Sequence, residues 1–185
     1  MTGPDHGFDG PSYQARFDAL AAQGVDVHGE ADLVRSYAPT SVLDAGCGTG
    51  RVAIELSCHA VKVTGVDVDR SMIDEARRRA PQLEWILSDL STLELGRTFD
   101  VVLLAGNVPL FCAPAARNDL VAACAAHVAA GGRLVAGFEL ARGYGLDEYD
   151  AACRDAGLHL AGRWSTWDRR ALQERDRYAV SVHER

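Results

Sequence analysis

The sequence has no long run of basic residues, no unbroken apolar stretch of bilayer length and no closely spaced cysteine pair. Each absence excludes something. The formal net charge is -7 and the one basic cluster is Arg77-Arg78-Arg79, so the surface field repels phosphate backbones and no nucleic-acid partner is expected. On a helix that cluster reads as a solvated last turn that complements the dipole. Without about 20 consecutive apolar residues there is no candidate membrane-spanning helix. The opening MTGPDHGFDGPS lacks a charged segment followed by an apolar one, so no signal peptide is expected. Cys47, Cys58, Cys112, Cys124 and Cys153 are odd in number and form no CxxC pair. Adjacent Cys58 and His59 cannot comfortably share a metal, so the five are expected to be reduced thiols of a cytoplasmic protein with no metal site.

What is present is ordinary for a globular domain: 185 residues, 48% hydrophobic and 24% charged. The expected organisation is an N-terminal arm and cap helix over 1–27 and a single domain over 28–185. Residues 1–12 read as a mobile arm, and Tyr13, Phe17 and Leu20 mark one face of a helix over 13–23. A second helix over 30–37 joins the first strand through two residues. Strands and helices then alternate: strands over 41–45, 61–66, 83–87, 99–104 and 133–138, helices over 50–58, 71–80 and 114–130. Ser71 is the expected N-cap of the second of these helices, and Gly131-Gly132 the stop of the long alanine-rich one. A helix over 147–156 and two strand-like runs, 159–167 and 178–183, complete the chain. The pattern describes an α/β sheet, mostly parallel, with helices on both faces and a terminal hairpin.

The first strand runs into Val42-Leu43-Asp44-Ala45-Gly46-Cys47-Gly48-Thr49-Gly50. No Gly-Lys-Ser/Thr follows, which excludes a phosphate-gripping P-loop. The spacing GxGxG also departs from the dinucleotide pattern GxGxxG. Asp67 ends the second strand in Gly65-Val66-Asp67-Val68-Asp69, where a carboxylate can accept both hydrogen bonds of a ribose diol. Asp89, just past the third strand, is placed to accept from an adenine amino group, with Leu90 packing on the ring and Val68 against it. Glycines, Asp67 and Asp89 thus occupy three successive strand ends, at the carboxyl edge where open α/β sheets bind ligands.

In VLDAGCGTGRVAIEL, GVDVDRSMIDEARRRAP, LSDL, FDVVLLAGNVPLF and GGRLVAGF, the chain resembles the class I S-adenosylmethionine-dependent methyltransferases of small-molecule type, over roughly residues 28 to 185. The resemblance implies a seven-stranded sheet of order 3-2-1-4-5-7-6 with the last strand antiparallel. It also implies S-adenosylmethionine as cofactor and S-adenosylhomocysteine as product. The turn Asp44–Gly50, including Gly46 and Gly48, would face the methionyl part, Asp67 the ribose and Asp89 the adenine. The loop Ala105-Gly106-Asn107-Val108-Pro109 would line the methyl-transfer site. An acidic cleft suits a sulfonium cation, and Asp44 is placed to meet the cofactor's ammonium directly or through water.

Other candidates carry two readings each. His28 is a general base or a helix cap; Glu30 is a base or a partner of the helix dipole. Asn107, polar after an apolar strand, needs a partner, for which cofactor or substrate is nearest. Glu139 follows the fifth strand on the substrate side. Tyr13 and Arg16 either close over the cofactor, Arg16 towards its carboxylate, or serve packing and solvent. Tyr144, between glycines, is expected as a pocket wall. Together these features describe methyl transfer to oxygen or nitrogen of a small acceptor by a monomer or homodimer. The alternatives are a non-catalytic S-adenosylmethionine-binding regulator, an RNA or protein methyltransferase, and a nicotinamide-dependent oxidoreductase.

Overall fold

The computed structural model describes residues 9–185. The mobile arm expected at the N-terminus falls largely outside these residues; its last part is helical. Helix α1 spans Gly10–Ala22, begun by Asp9, whose side chain accepts from the Ser12 amide, and by Pro11 in the first turn. It therefore starts before Tyr13, because an aspartate N-cap and a first-turn proline are stronger start signals than the apolar spacing. Helix α2 is Gly29–Arg35, two residues shorter than expected at its end. Ser36 donates its hydroxyl to the Leu33 carbonyl, and Ala38, before Pro39, adopts φ 50°. The connection to β1 (Ser41–Ala45) is thus five residues and not two, held where the Asp100 carboxylate accepts from Thr40 and Ser41.

Then follow α3 (Arg51–Ser57), β2 (Lys62–Asp67), α4 (Arg70–Arg79), β3 (Glu84–Leu87), β4 (Phe99–Leu104), the short α5 (Val108–Phe111), α6 (Arg117–Ala126), β5 (Val128–Glu139), α7 (Leu146–Asp155), β6 (His159–Trp164) and β7 (Tyr178–Glu184). The α4 N-cap is Asp69, which accepts from the Ser71 and Met72 amides; Ser71 already lies inside the helix. A carboxylate two residues ahead competes better for those amides than the hydroxyl. The alanine-rich helix stops at Ala126, and Gly131-Gly132 sit within β5. There β4 and β5 lose register between Phe99 and Val101, which pair with Val128 and Arg133. The glycines accommodate that bulge.

The sheet order is β3-β2-β1-β4-β5-β7-β6, with β7 antiparallel to both neighbours, as the resemblance implied. Alternate strand residues fill two cores. Leu43, Val102, Leu104 and Leu134 pack with α6 and α7, while Val42, Val101, Leu103 and Val135 pack with α2, α3 and α4. Burial on both faces explains why β4 reads Phe-Asp-Val-Val-Leu-Leu, apolar almost throughout. All five cysteines are free, and no helix among the described residues is long and apolar enough to cross a membrane.

Candidate active site

The turn between β1 and α3 is a glycine device with three different reasons. A side-chain carbon at Gly46 would lie 2.5 Å from Val108, so that glycine lets α5 close on the turn. At Gly50 it would lie 2.3 Å from the Trp85 ring. At Gly48 nothing is nearer than the Tyr13 ring at 3.8 Å, so Gly48 is the turn glycine whose missing side chain opens the crevice. All three have positive φ. Cys47 is buried beneath the turn, close to Gly65, as a small packing residue.

Asp67 braces this turn from β2. Its Oδ2 accepts from the Gly48 amide at 2.8 Å and its Oδ1 from the Asp69 amide at 2.9 Å. Burial raises its carboxyl above the ordinary value, and these amides pull it back only in part. Four lone-pair sites less two leave a pair of acceptor positions on one carboxylate. Val68 beside it is 48% exposed, an apolar side chain with open space around it. Asp89 caps a 3-10 turn, Leu90–Thr92, through Oδ1, which accepts from the Ser91 amide and hydroxyl. Its Oδ2 has no intramolecular partner among the described residues. Leu90, expected to lie on a ligand ring, instead packs in the core with Val66 and Leu93.

Asp44 is 1% exposed and lies below the turn, not on its surface. The Ala53 amide, in the first turn of α3, donates to its carboxylate, while Oδ2 is buried without any partner. Burial pushes its pKa up to about 7 even with Arg51 nearby. Its carboxylate is therefore not exposed on the surface of the turn, where a ligand would touch it directly.

Arg51 is the residue that sequence reasoning missed. It bonds Glu30 through both nitrogens, at 2.6 and 3.1 Å, donates to the Val27 carbonyl and stacks 4.6 Å over the Phe17 ring. It thereby ties α1, the α2 N-terminus and α3 into one wall. A cation in the first turn of a helix opposes the dipole, and that was the available signal that it needs an anionic partner. Glu30 is consumed by this pair, with both side chains about 15% exposed, so it is not a free base. Arg51→Ala would leave Glu30 semi-buried and unpaired. It is expected to cost about 3 kcal/mol, read as a lower midpoint in thermal melts, with Glu30→Gln added to the variant recovering part of the loss. Full additivity of the two changes would disprove the coupling.

His28 turns its Nδ1 towards Glu55, 3.6 Å away and one helical turn down α3, hence away from the glycine turn. Tyr13 reaches the glycine turn, its ring 3.8 Å from where a side-chain carbon on Gly48 would stand, and burial raises its phenol above the ordinary value against the pull of Arg51. Its neighbour Gln14, buried, accepts from the Thr49 hydroxyl at 2.7 Å and seats α1 on the turn. Arg16 is exposed without a side-chain partner among the described residues.

Asn107, at φ 70°, accepts through Oδ1 from the Glu139 amide at 2.8 Å, and its own amide donates to the Gly137 carbonyl. The partner expected to be a ligand is the β5 backbone: Asn107 clamps the loop after β4 to the end of β5. Glu139 is exposed, and its carboxylate is unpaired among the described residues. Tyr144 is no pocket wall; it is 3% exposed in an aromatic core with Phe138 and Tyr149. The connection between β6 and β7 supplies the wall that sequence reasoning did not expect, with Tyr178 opposite Glu139 in the β5–β7 pairing.

Fold and crevice define the class first: a doubly wound α/β domain, an architecture whose ligands lie at the carboxyl edge of the sheet. A family model described as a methyltransferase domain matches residues 42–132. A TehB-like SAM-dependent methyltransferase of known structure from Corynebacterium glutamicum is 34% identical, with a TM-score of 0.88 over 94% of this chain and 96% of that one. The chain belongs to the class I S-adenosylmethionine-dependent methyltransferases. Two curated relatives are also similar. The dTDP-4-amino-2,3,4,6-tetradeoxy-D-glucose N,N-dimethyltransferase of Saccharopolyspora spinosa is 33% identical over 50% of this chain and 40% of its own length. The dTDP-3-amino-3,4,6-trideoxy-alpha-D-glucopyranose N,N-dimethyltransferase of Streptomyces venezuelae is 32% identical over 66% of this chain and 52% of its own. The chain thus spans about half the length of these curated relatives.

Proposed function

We propose that this protein transfers the methyl group of S-adenosylmethionine to a nitrogen or oxygen atom of a small acceptor. The observation that carries the reading is the series Gly48, Asp67 and Asp89 on successive strand ends, in a chain of methyltransferase family. The donor set fits the cofactor. Gly48 leaves room at the turn, Asp67 retains two acceptor positions for a ribose diol, and Val68 offers an exposed apolar face for a base. Asp89 keeps one carboxylate oxygen for an amino group. Asp44 adds negative potential beneath a cationic ligand.

The bound cofactor supplies a methyl carbon on a sulfonium, which passes to an acceptor lone pair as the carbon–sulfur bond breaks with its electrons on sulfur. The protein's part is alignment and exclusion of water. Helix α1, seated through Gln14–Thr49 and Arg51–Phe17, places Tyr13 over the turn and covers one side. Of the three expected bases, Glu30 is neutralised and His28 faces Glu55, which leaves Glu139 to take up an acceptor proton. Nitrogen is the acceptor atom favoured by the names of both curated relatives. The acidic surface and unbridged thiols support a cytoplasmic setting and a small acceptor.

Calorimetry with S-adenosylmethionine, S-adenosylhomocysteine and NAD tests the reading: both sulfur compounds bind and NAD does not. Binding of NAD alone would overturn it. Asp67→Ala is expected to weaken S-adenosylhomocysteine binding by more than about 1 kcal/mol, because ribose hydroxyls lose their acceptor and the Gly48 amide its anchor. Unchanged affinity would remove Asp67 from the site.

A further inference from the structure

The thirteen residues joining β6 to β7 wall a groove of about 570 Å³ against the end of β5. Glu139, Ser165, Thr166, Arg170, Arg177 and Tyr178 line it. Its position is fixed by pairing: Glu139 ends β5 directly opposite Tyr178, which begins β7, so the groove opens on the carboxyl edge. The clamp from Asn107 to the Glu139 amide joins it to the loop after β4. Tyr178 bridges groove and crevice. Its phenol, raised by burial, accepts from Trp167 and is near enough to Glu30, Glu139 and Arg51 to feel their charges.

Most polar groups of this wall already have partners. Arg170 pairs with Asp176 at 3.0 Å, and Asp176 also accepts from the Gln173 amide. Ser165 donates to the carbonyls of Arg170 and Ala171, and Thr166 to Asp168. The loop is therefore braced before any ligand arrives. Two charges in the lining remain unpaired among the described residues: the Glu139 carboxylate and the Arg177 guanidinium. A groove with one free anion and one free cation is complementary to a ligand carrying both charges, since each end repels its own sign.

We infer that this groove is the acceptor subsite and that its acceptor is an amine that also carries an anionic group, a phosphate or a carboxylate. The amine lies at Glu139 and Tyr178, nearest the crevice, and the anion at Arg177. This rests on the methyltransferase reading and names the acceptor class for that same site. Glu139 holds the ammonium by charge and accepts its proton, passing it to solvent, to which it is open; the freed lone pair is then the nucleophile.

The test uses the protein saturated with S-adenosylhomocysteine and titrated calorimetrically with glucosamine 6-phosphate, glucosamine and glucose 6-phosphate, a set matched in size and differing in charge. The zwitterionic probe is expected to bind at least about tenfold more tightly than either of the others, a ratio worth about 1.4 kcal/mol. Arg177→Gln should reduce its affinity to that of glucosamine, and Glu139→Gln to that of glucose 6-phosphate. Both changes are on exposed side chains, and unaltered melting temperatures show that the variants fold. Release of S-adenosylhomocysteine from S-adenosylmethionine should follow the same order. Equal binding of the three probes, no binding of any, or a preference that neither variant alters overturns the inference. Failure of the methyltransferase reading shows separately, as absent binding of S-adenosylhomocysteine.

Discussion

Gly50→Ala is expected to destabilise the protein by about 3 kcal/mol or more, from a left-handed backbone cost of about 1–2 kcal/mol and overpacking of about 1–3 kcal/mol. Gly50 has φ 78°, and a methyl there would stand 2.3 Å from Cη2 of Trp85. Trp85 cannot step aside. It is 7% exposed, its indole N–H donates to the Ala80 carbonyl at 2.8 Å, and it also covers Gly65. For a domain of this size the loss corresponds to roughly 6–12 °C in melting temperature. A double mutant separates the two contributions. In a Trp85→Leu background, itself destabilised, the added cost of the alanine should shrink to the backbone share. A penalty below about 1 kcal/mol in the native background would show that the turn relaxes and that Trp85 does not enforce glycine there.

Asp44→Asn is expected to stabilise the ligand-free protein at pH 8 and to weaken its hold on the cofactor. Asp44 is raised from 3.8 to about 7 by burial, so the folded state binds its proton more tightly than the unfolded chain does. Below pH 3.8 the group is protonated in both states and costs nothing. As pH rises towards 7 the penalty for a buried carboxylate grows, and above 7 it is complete. About three pKa units correspond to a ceiling on the order of 4 kcal/mol, less whatever the Ala53 amide loses when it faces an amide in place of a carboxylate. Thermal melts of wild type and variant should therefore diverge between pH 5 and pH 8, with the variant gaining most at the higher pH. S-adenosylhomocysteine titrations serve as control for the field. S-adenosylmethionine, the cation, should lose more affinity in the variant than the neutral thioether does. Parallel melting curves at both pH values would mean that Asp44 is ionised without cost, and equal losses for the two ligands would remove its electrostatic role.

These expectations differ in how far they were visible before folding. Strand β4 was legible to the residue, because burial on both sheet faces forces six residues of nearly unbroken hydrophobicity. The positions of the glycine turn, Asp67 and Asp89 at successive strand ends were legible because turn punctuation marks strand ends well. The end of α6 was not. Its alanines suit a helix, and the glycine pair five residues later reads equally well as a stop or as a bulge; pairing with β4 decides for the bulge. Asn107 shows the limit for single residues. Its need for a partner was correctly inferred, but the group that meets it is a backbone amide 32 positions away, which donates to its Oδ1.

Local chemistry by itself determined the order of strands and helices, the turn that faces the crevice and the acidic groups at the next two strand ends. Each follows from neighbours within a few positions, and the resemblance over residues 28 to 185 added the sheet order. Tertiary structure alone decided which charges stay free. Arg51 cancels Glu30 across 21 positions, Glu55 draws off His28, and the β6–β7 connection pairs its own polar groups while leaving Glu139 and Arg177 open. Ion pairing depends on distance in space and on burial, and neither is encoded by spacing along the chain.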